Sequence, residues 1–169
     1  CIRDSLWTSV TSPAMLYYLD QDVSYAGQLN ENYAREIMEL HTLGVDGGYE
    51  QSDVTTLAGL LAGLTLSQEA SPSGEGRFLV RQFRYDPRLG DASPREIVGM
   101  RFEGRGPESR FENVRLAVEL LAAHPSTARF IARKLAEHYV CVPAPEGLVD
   151  DLAVVFTENG GELAPVVLA

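Results

Sequence analysis

The chain has 169 residues, 45% of them hydrophobic and 22% charged, with a formal net charge of −10. That length can enclose the core of one domain, and the apolar content excludes a disordered chain. The acidic balance excludes a general binder of nucleic-acid backbones, which needs clustered Lys and Arg, and by itself implies no substrate.

The two cysteines, Cys1 and Cys141, match neither zinc-ligand spacing nor a disulfide framework. No apolar run approaches the roughly 18 residues of a membrane-spanning helix. No signal peptide is visible. The chain opens Cys-Ile-Arg-Asp rather than with Met, and it reads as a fragment of a longer protein. It is expected to form a single domain over 1–169.

In chain order, residues 3–11 suit a short helix carrying Leu6, Trp7 and Val10. Ser12 then caps a second helix with Pro13 at its first position and Met15, Leu16, Tyr18 and Leu19 as its apolar content. A polar loop over 20–29 leads to the stretch around which the rest is organised, NENYAREIMELHTLGVDGGYEQSDV at 30–54.

Asn30 is a good N-cap, Glu31 complements the helix dipole, and Gly44 suits a left-handed position just past the helix end. At about 100° per residue, Tyr33, Ala34, Ile37, Met38 and Leu40 cover one side and Glu31, Asn32, Arg35, Glu36, Glu39 and Thr42 the other. Arg35 can pair with Glu31 and Glu39 at i,i+4 spacing. His41 falls within the apolar arc, where desolvation disfavours its charged form. Three readings fit it: a neutral core histidine bonded to a carbonyl or carboxylate, a ligand or base, or a rim residue. Glu36, Glu39 and His41 resemble a metal cluster along the line. On an ideal helix, however, His41 lies about 200° from Glu39 and about 140° from Glu36, so they converge only if the helix breaks. The turn that follows, Val45-Asp46-Gly47-Gly48-Tyr49, supplies a positive-φ position and a side-chain cap. Its backbone groups could hold an ion. Glu50 or Ser52 can cap the next helix, in which Val54, Leu57, Ala58, Leu61 and Leu64 recur to about Thr65.

Residues 67–77 are small, polar and Pro/Gly-bearing, and read as a flexible insertion. Alternation over 78–86 and again over 96–102 predicts one inserted β-hairpin, closed by Glu103-Gly104-Arg105-Gly106-Pro107. Helical stripes follow at Phe111, Val114, Ala117, Val118 and Leu121, then beyond the His124-Pro125 break at Ala128, Ile131, Ala132, Leu135 and Tyr139. Arg129, Arg133 and Lys134 form a basic face expected to meet solvent or an acidic neighbour. A helix with Leu148, Leu152, Val155 and Phe156 ends at Asn159-Gly160-Gly161, and another begins at 162. The expected class is α+β, mainly α-helical, with about seven helices and one hairpin. There is no G-x-S-x-G elbow, phosphate loop, H-E-x-x-H or dinucleotide fingerprint.

Several strings together resemble the DUF1800 family, a bacterial domain of unknown function. They are Ser12-Pro13-Ala14-Met15-Leu16 with Tyr18-Leu19-Asp20, the whole of 30–54, Phe83-Arg84-Tyr85-Asp86-Pro87, HPSTARFIARKLAEHYV at 124–140 and FTENGGEL at 156–163. The resemblance implies a fragment covering the C-terminal part of such a protein, and a periplasmic or extracellular home. Two departures stand out: Gly63-Leu64-Thr65 where relatives often have Gly-Trp-Thr, and Gly90-Asp91 where many have His-Asp. If that histidine is a ligand or base in relatives, this chain lacks it, which counts against an enzyme.

Two functions from different classes remain. The first is a non-catalytic, extracytoplasmic interaction or scaffold domain whose acidic helical surface meets a protein or an envelope polymer, with no nucleic acid as partner and no membrane-spanning segment. The second is a hydrolase or metal-dependent enzyme with His41 as base or ligand and Glu36 and Glu39 as carboxylates. In that reading Arg35, Asp46, Gly47, Gly48 and Asp53 line the binding site. Neither names a cofactor or a metal.

Overall fold

The computed structural model describes residues 1–70, 79–91, 93, 95–103 and 106–169. Two short helices, α1 (Ile2–Val10) and α2 (Pro13–Tyr18), lead through a 3-10 turn at Gln21–Val23 to α3 (Glu31–Glu36), which continues as a π turn over Ile37–His41. Then follow α4 (Gln51–Leu61), the strands β1 (Leu64–Ala70), β2 (Leu79–Tyr85), β3 (Arg95–Ile97) and β4 (Met100–Phe102), and four helices. These are α5 (Pro107–Ala123), α6 (Pro125–Tyr139), α7 (Glu146–Glu158) and α8 (Leu163–Leu168). The class is the mainly helical α+β expected from the sequence.

The strand pairing differs from expectation. Residues 78–86 and 96–102 do not form one hairpin. β1 pairs antiparallel with β2, from Leu64 opposite Tyr85 to Ala70 opposite Leu79. β3 and β4 fold on each other, with Ile97 opposite Met100. Two local causes account for this. Ala62 leaves the helix at ψ 131° and Gly63, at φ +101°, turns the chain into β1; a Cβ on Gly63 would lie 2.9 Å from the Asp86 carbonyl oxygen. Val98 and Gly99, at φ 41° and 81°, make a two-residue turn with both central residues left-handed, the geometry of a tight hairpin. α4 therefore stops at Leu61 instead of near Thr65, and residues 67–70 of the expected insertion are strand. Residues 71–77 of that insertion lie outside the described residues, as do Phe78 and the Gly104-Arg105 of the closing turn.

The principal core joins α1 to α5 through Leu16, Tyr33, Ile37, Met38, Leu57, Leu61 and Leu121, all fully buried. A second cluster, around Ala132, Val149, Phe156 and Val166, joins α6, α7 and α8, and Ile2 packs against both. Alanines at 128, 132 and 136 leave α6 a smooth buried face on which α7 lies close. The buried Tyr33 hydroxyl donates to the Val10 carbonyl at 2.7 Å, and the buried Gln21 amide donates to the Leu61 carbonyl at 2.9 Å. Both bonds satisfy groups that would be costly to bury alone. Among the described residues no helix is long and apolar enough to cross a membrane.

Candidate functional site

The central helix starts as its sequence dictates: the Asn30 side chain accepts from the Tyr33 amide at 2.9 Å. After Glu36 the winding loosens. The buried Thr42 hydroxyl donates to the Ile37 carbonyl at 2.9 Å and reaches the Met38 carbonyl at 3.3 Å, while the Gly44 amide, at φ +82°, donates to the same Met38 oxygen at 3.1 Å. A threonine hydroxyl that competes for helix carbonyls in this way favours the wider turn.

This π turn resets the faces read from an ideal wheel. Leu40, expected on the apolar side, is 56% exposed, and Thr42, expected on the polar side, is fully buried. A π turn relates positions five apart, so Glu36 falls on the side of His41 instead of about 140° away. His41 is half-buried. Burial holds its pKa below the ordinary value; the negative charge of Glu36 opposes this and the ammonium of Lys134 on α6 reinforces it. The result is a neutral imidazole at physiological pH.

Glu39 is engaged elsewhere. Its Oε1 accepts from the Tyr49 hydroxyl at 2.8 Å and from Arg35 Nη1 at 3.4 Å. Arg35 also donates to Gln51 Oε1 at 2.5 Å, and Gln51 and Thr55 donate to Glu31 at 2.8 and 2.9 Å. This polar network staples α3 to α4. Tyr49 keeps its proton, pushed up to about 12 by burial and then by the hydrogen bond to Glu39.

In the glycine turn, Gly48 is the residue at positive φ (82°), whereas Gly47 is required for space: a Cβ on it would lie 2.7 Å from the Leu43 carbonyl oxygen. Asp46 is exposed. Asp53 serves the scaffold: Oδ2 accepts from the Glu50 amide at 2.8 Å, capping α4, and Oδ1 accepts from the strained Val98 amide at 2.9 Å. Of the sequence-predicted residues, the structure thus joins Arg35 to Glu39, places Glu36 near His41, and sets Asp46 and Gly47 in the turn. It does not bring Asp53 to any of them.

The turn meets α6. The Gly47 carbonyl accepts from the Ser126 hydroxyl at 2.8 Å, and the His124 imidazole caps α6 by accepting from the Ser126 amide at 3.2 Å. Between the turn and α6 lies an open groove of about 380 Å³ bordered by Val45, Asp46, Arg129, Phe130 and Arg133. Gly44 has to be glycine against this wall, since a Cβ would stand 2.9 Å from the Phe130 ring. The Lys134 ammonium lies over the same Phe130 ring, 4.7 Å from its centroid. Arg129 and Arg133 both pair with Glu146 at 3.2 and 2.8 Å, and Arg129 also with Asp150, the acidic neighbour expected for this basic face. Ser126 and Phe130 went unnoticed in the sequence. Their signal was the i, i+3, i+7 spacing of Ser126, Arg129 and Arg133, which puts all three on one stripe of α6.

Among the described residues no three His, Cys, Asp or Glu side chains stand close enough to hold a metal ion. No curated protein and no solved structure matches the chain. A family model, described as a protein of unknown function, matches residues 3–169, so the chain belongs to the DUF1800 family over essentially its whole length.

Proposed function

We propose that this chain is a non-catalytic interaction domain that works outside the cytoplasm, and that it docks a protein or envelope polymer through the glycine turn and α6. The observation that carries the reading is the combination of exposed apolar and mixed polar groups on a braced backbone. Leu40 and Val45 are 56% and 69% exposed on a segment pinned by Thr42, Gly44 and Ser126. Beside Val45 run Phe130 and a guanidinium rim. Apolar anchors on rigid backbone with a polar border are what a recognition surface needs. Although the chain is acidic overall, this face carries Arg129, Arg133 and Lys134, the two arginines paired with Glu146 and Asp150, so its partner offers an apolar anchor with a mixed polar border. The test is co-sedimentation with isolated cell envelope from the native host. The wild-type chain is expected to sediment, and Val45→Asp to lower the bound fraction several-fold with an unchanged melting temperature. Equal sedimentation of the two would contradict the reading.

A second reading rests on His41. A half-buried neutral imidazole beside Glu36 is a group able to accept a proton. Metal content of purified protein by elemental mass spectrometry, with wild type beside His41→Ala, separates the two. Stoichiometric metal lost in the variant favours hydrolysis at the π turn; a lower melting temperature with no change in metal makes His41 a packing residue.

A further inference from the structure

A separate cleft runs between α1 and α5, on residues the docking surface does not use. Its floor is aromatic: Trp7 stands edge-on to Phe111 with ring centroids 5.9 Å apart, and Phe83 stacks on Phe111 at 6.4 Å. All three rings are half-buried. The hollow measures about 550 Å³ and is rimmed by Arg3, Asp4, Arg115 and Glu119; Arg3 Nε donates to Asp4 Oδ1 at 3.2 Å and Arg115 Nη1 lies 3.8 Å from Glu112, each guanidinium keeping further N–H groups for a ligand. Arg3 and Glu119 also border a second hollow of about 540 Å³ that continues past Ile2 to Gly160 and Gly161. The two hollows adjoin at Arg3 and Glu119, and the first, with the aromatic floor, is the trough.

We propose that this trough binds an uncharged oligosaccharide. The flat C–H face of a pyranose stacks on aromatic rings, which present a large rigid apolar area. Its hydroxyls each donate and accept, so they can satisfy guanidinium donors and carboxylate acceptors at the same rim. Two cationic and two anionic side chains around one floor suit a neutral polar ligand. A polyanion would face Asp4 and Glu119, and a polycation Arg3 and Arg115. The proposal extends the interaction reading to a glycan partner on a different face, and it stands or falls independently of the turn and α6.

Trp7 is the single tryptophan of the chain, so its emission reports directly on the trough. The experiment titrates the full chain with neutral tetrasaccharides of β-linked N-acetylglucosamine and of β-linked glucose. Galacturonate oligomers serve as the anionic control, and calorimetry is run in parallel. A saturable signal with at least one neutral sugar is expected, weakened about tenfold, the equivalent of one lost ligand hydrogen bond, in Arg115→Ala and in Glu119→Ala. Arg115 is exposed and Glu119 half-buried, and unchanged melting temperatures exclude misfolding as the cause. Val45→Asp should bind sugar as the wild type does. The proposal is overturned by neutral sugars giving neither an emission change nor heat, by a response to galacturonate alone, or by a response that Arg115→Ala leaves intact. Loss of envelope binding in Val45→Asp alongside a failed sugar titration would sink the trough alone.

Discussion

The Tyr49 hydroxyl donates to Glu39 Oε1 at 2.8 Å, so the far end of the glycine turn is tied back to the π turn from which it emerges. The phenol's pKa is raised from 10.0 to about 12. A raised value favours the protonated form in the folded state. The contribution is therefore whole below pH 10 and fades as pH climbs through 12. Tyr49→Phe is expected to cost about 1 kcal/mol at neutral pH. It should also flatten the alkaline loss of stability. Urea unfolding at pH 7 and pH 11 checks both; a variant as pH-sensitive as wild type would exclude Tyr49 as the titrating group.

Thr42 carries the π turn. Thr42→Val keeps the shape and removes the hydroxyl that serves the Ile37 carbonyl, with an expected loss of about 1–3 kcal/mol. Thr42→Ser should recover most of it. Amide exchange across residues 37–44 would quicken in the valine variant alone. Equal stability of Thr42→Val and wild type would mean the backbone holds the π turn without help.

The two turn glycines are there for different reasons, and alanine separates them. At Gly48 a Cβ meets nothing within 4 Å, so only the left-handed φ is strained, about 1–2 kcal/mol. At Gly47 the methyl meets the Leu43 carbonyl oxygen and must displace main chain, an overpacking cost toward the upper end of about 1–3 kcal/mol plus the Ser126 bond it disturbs. Chemical denaturation should rank Gly47→Ala below Gly48→Ala, and the reverse order would refute the assignment.

His41 sets a direction on the acid side. Its folded pKa lies below 6.5, chiefly because burial disfavours the cation, so its contribution is present above pH 6.5 and drains away as pH falls through the lower folded value. His124, lowered by burial at the start of α6, adds the same sign. Replacing His41 with Gln is expected to flatten the decline in melting temperature between pH 7 and pH 5, leaving the part due to His124. A steeper decline would mean that Glu36 prevails over burial.

The features legible in the sequence were the local ones. The Asn30 cap, the left-handed Gly44, the Pro13 start and the His124-Pro125 break each depend on a residue and its immediate neighbours. The apolar stripes of α5 and α7 followed from spacing in the same way. The strand pairing was not legible, because Leu64 and Tyr85 find each other only after Ala62 and Gly63 have turned the chain out of the helix. The π turn was hidden for a subtler reason: one hydroxyl, on Thr42, changes the winding of five residues, and a wheel drawn at a fixed angle then misplaces Leu40 and Glu36. The groove was out of reach altogether, since its brace joins Gly47 to Ser126 across 79 positions of the chain.

The most direct measurement of the docking face is photo-crosslinking in the native host, with a benzophenone side chain at Val45 and, as control, at Val154, which is 55% exposed on α7. The account predicts a discrete adduct from position 45, weakened by Arg133→Glu, and none of that species from position 154. No adduct at 45, or the same adducts from both positions, would contradict the assignment of the glycine turn and α6 as the surface on which this domain binds its partner.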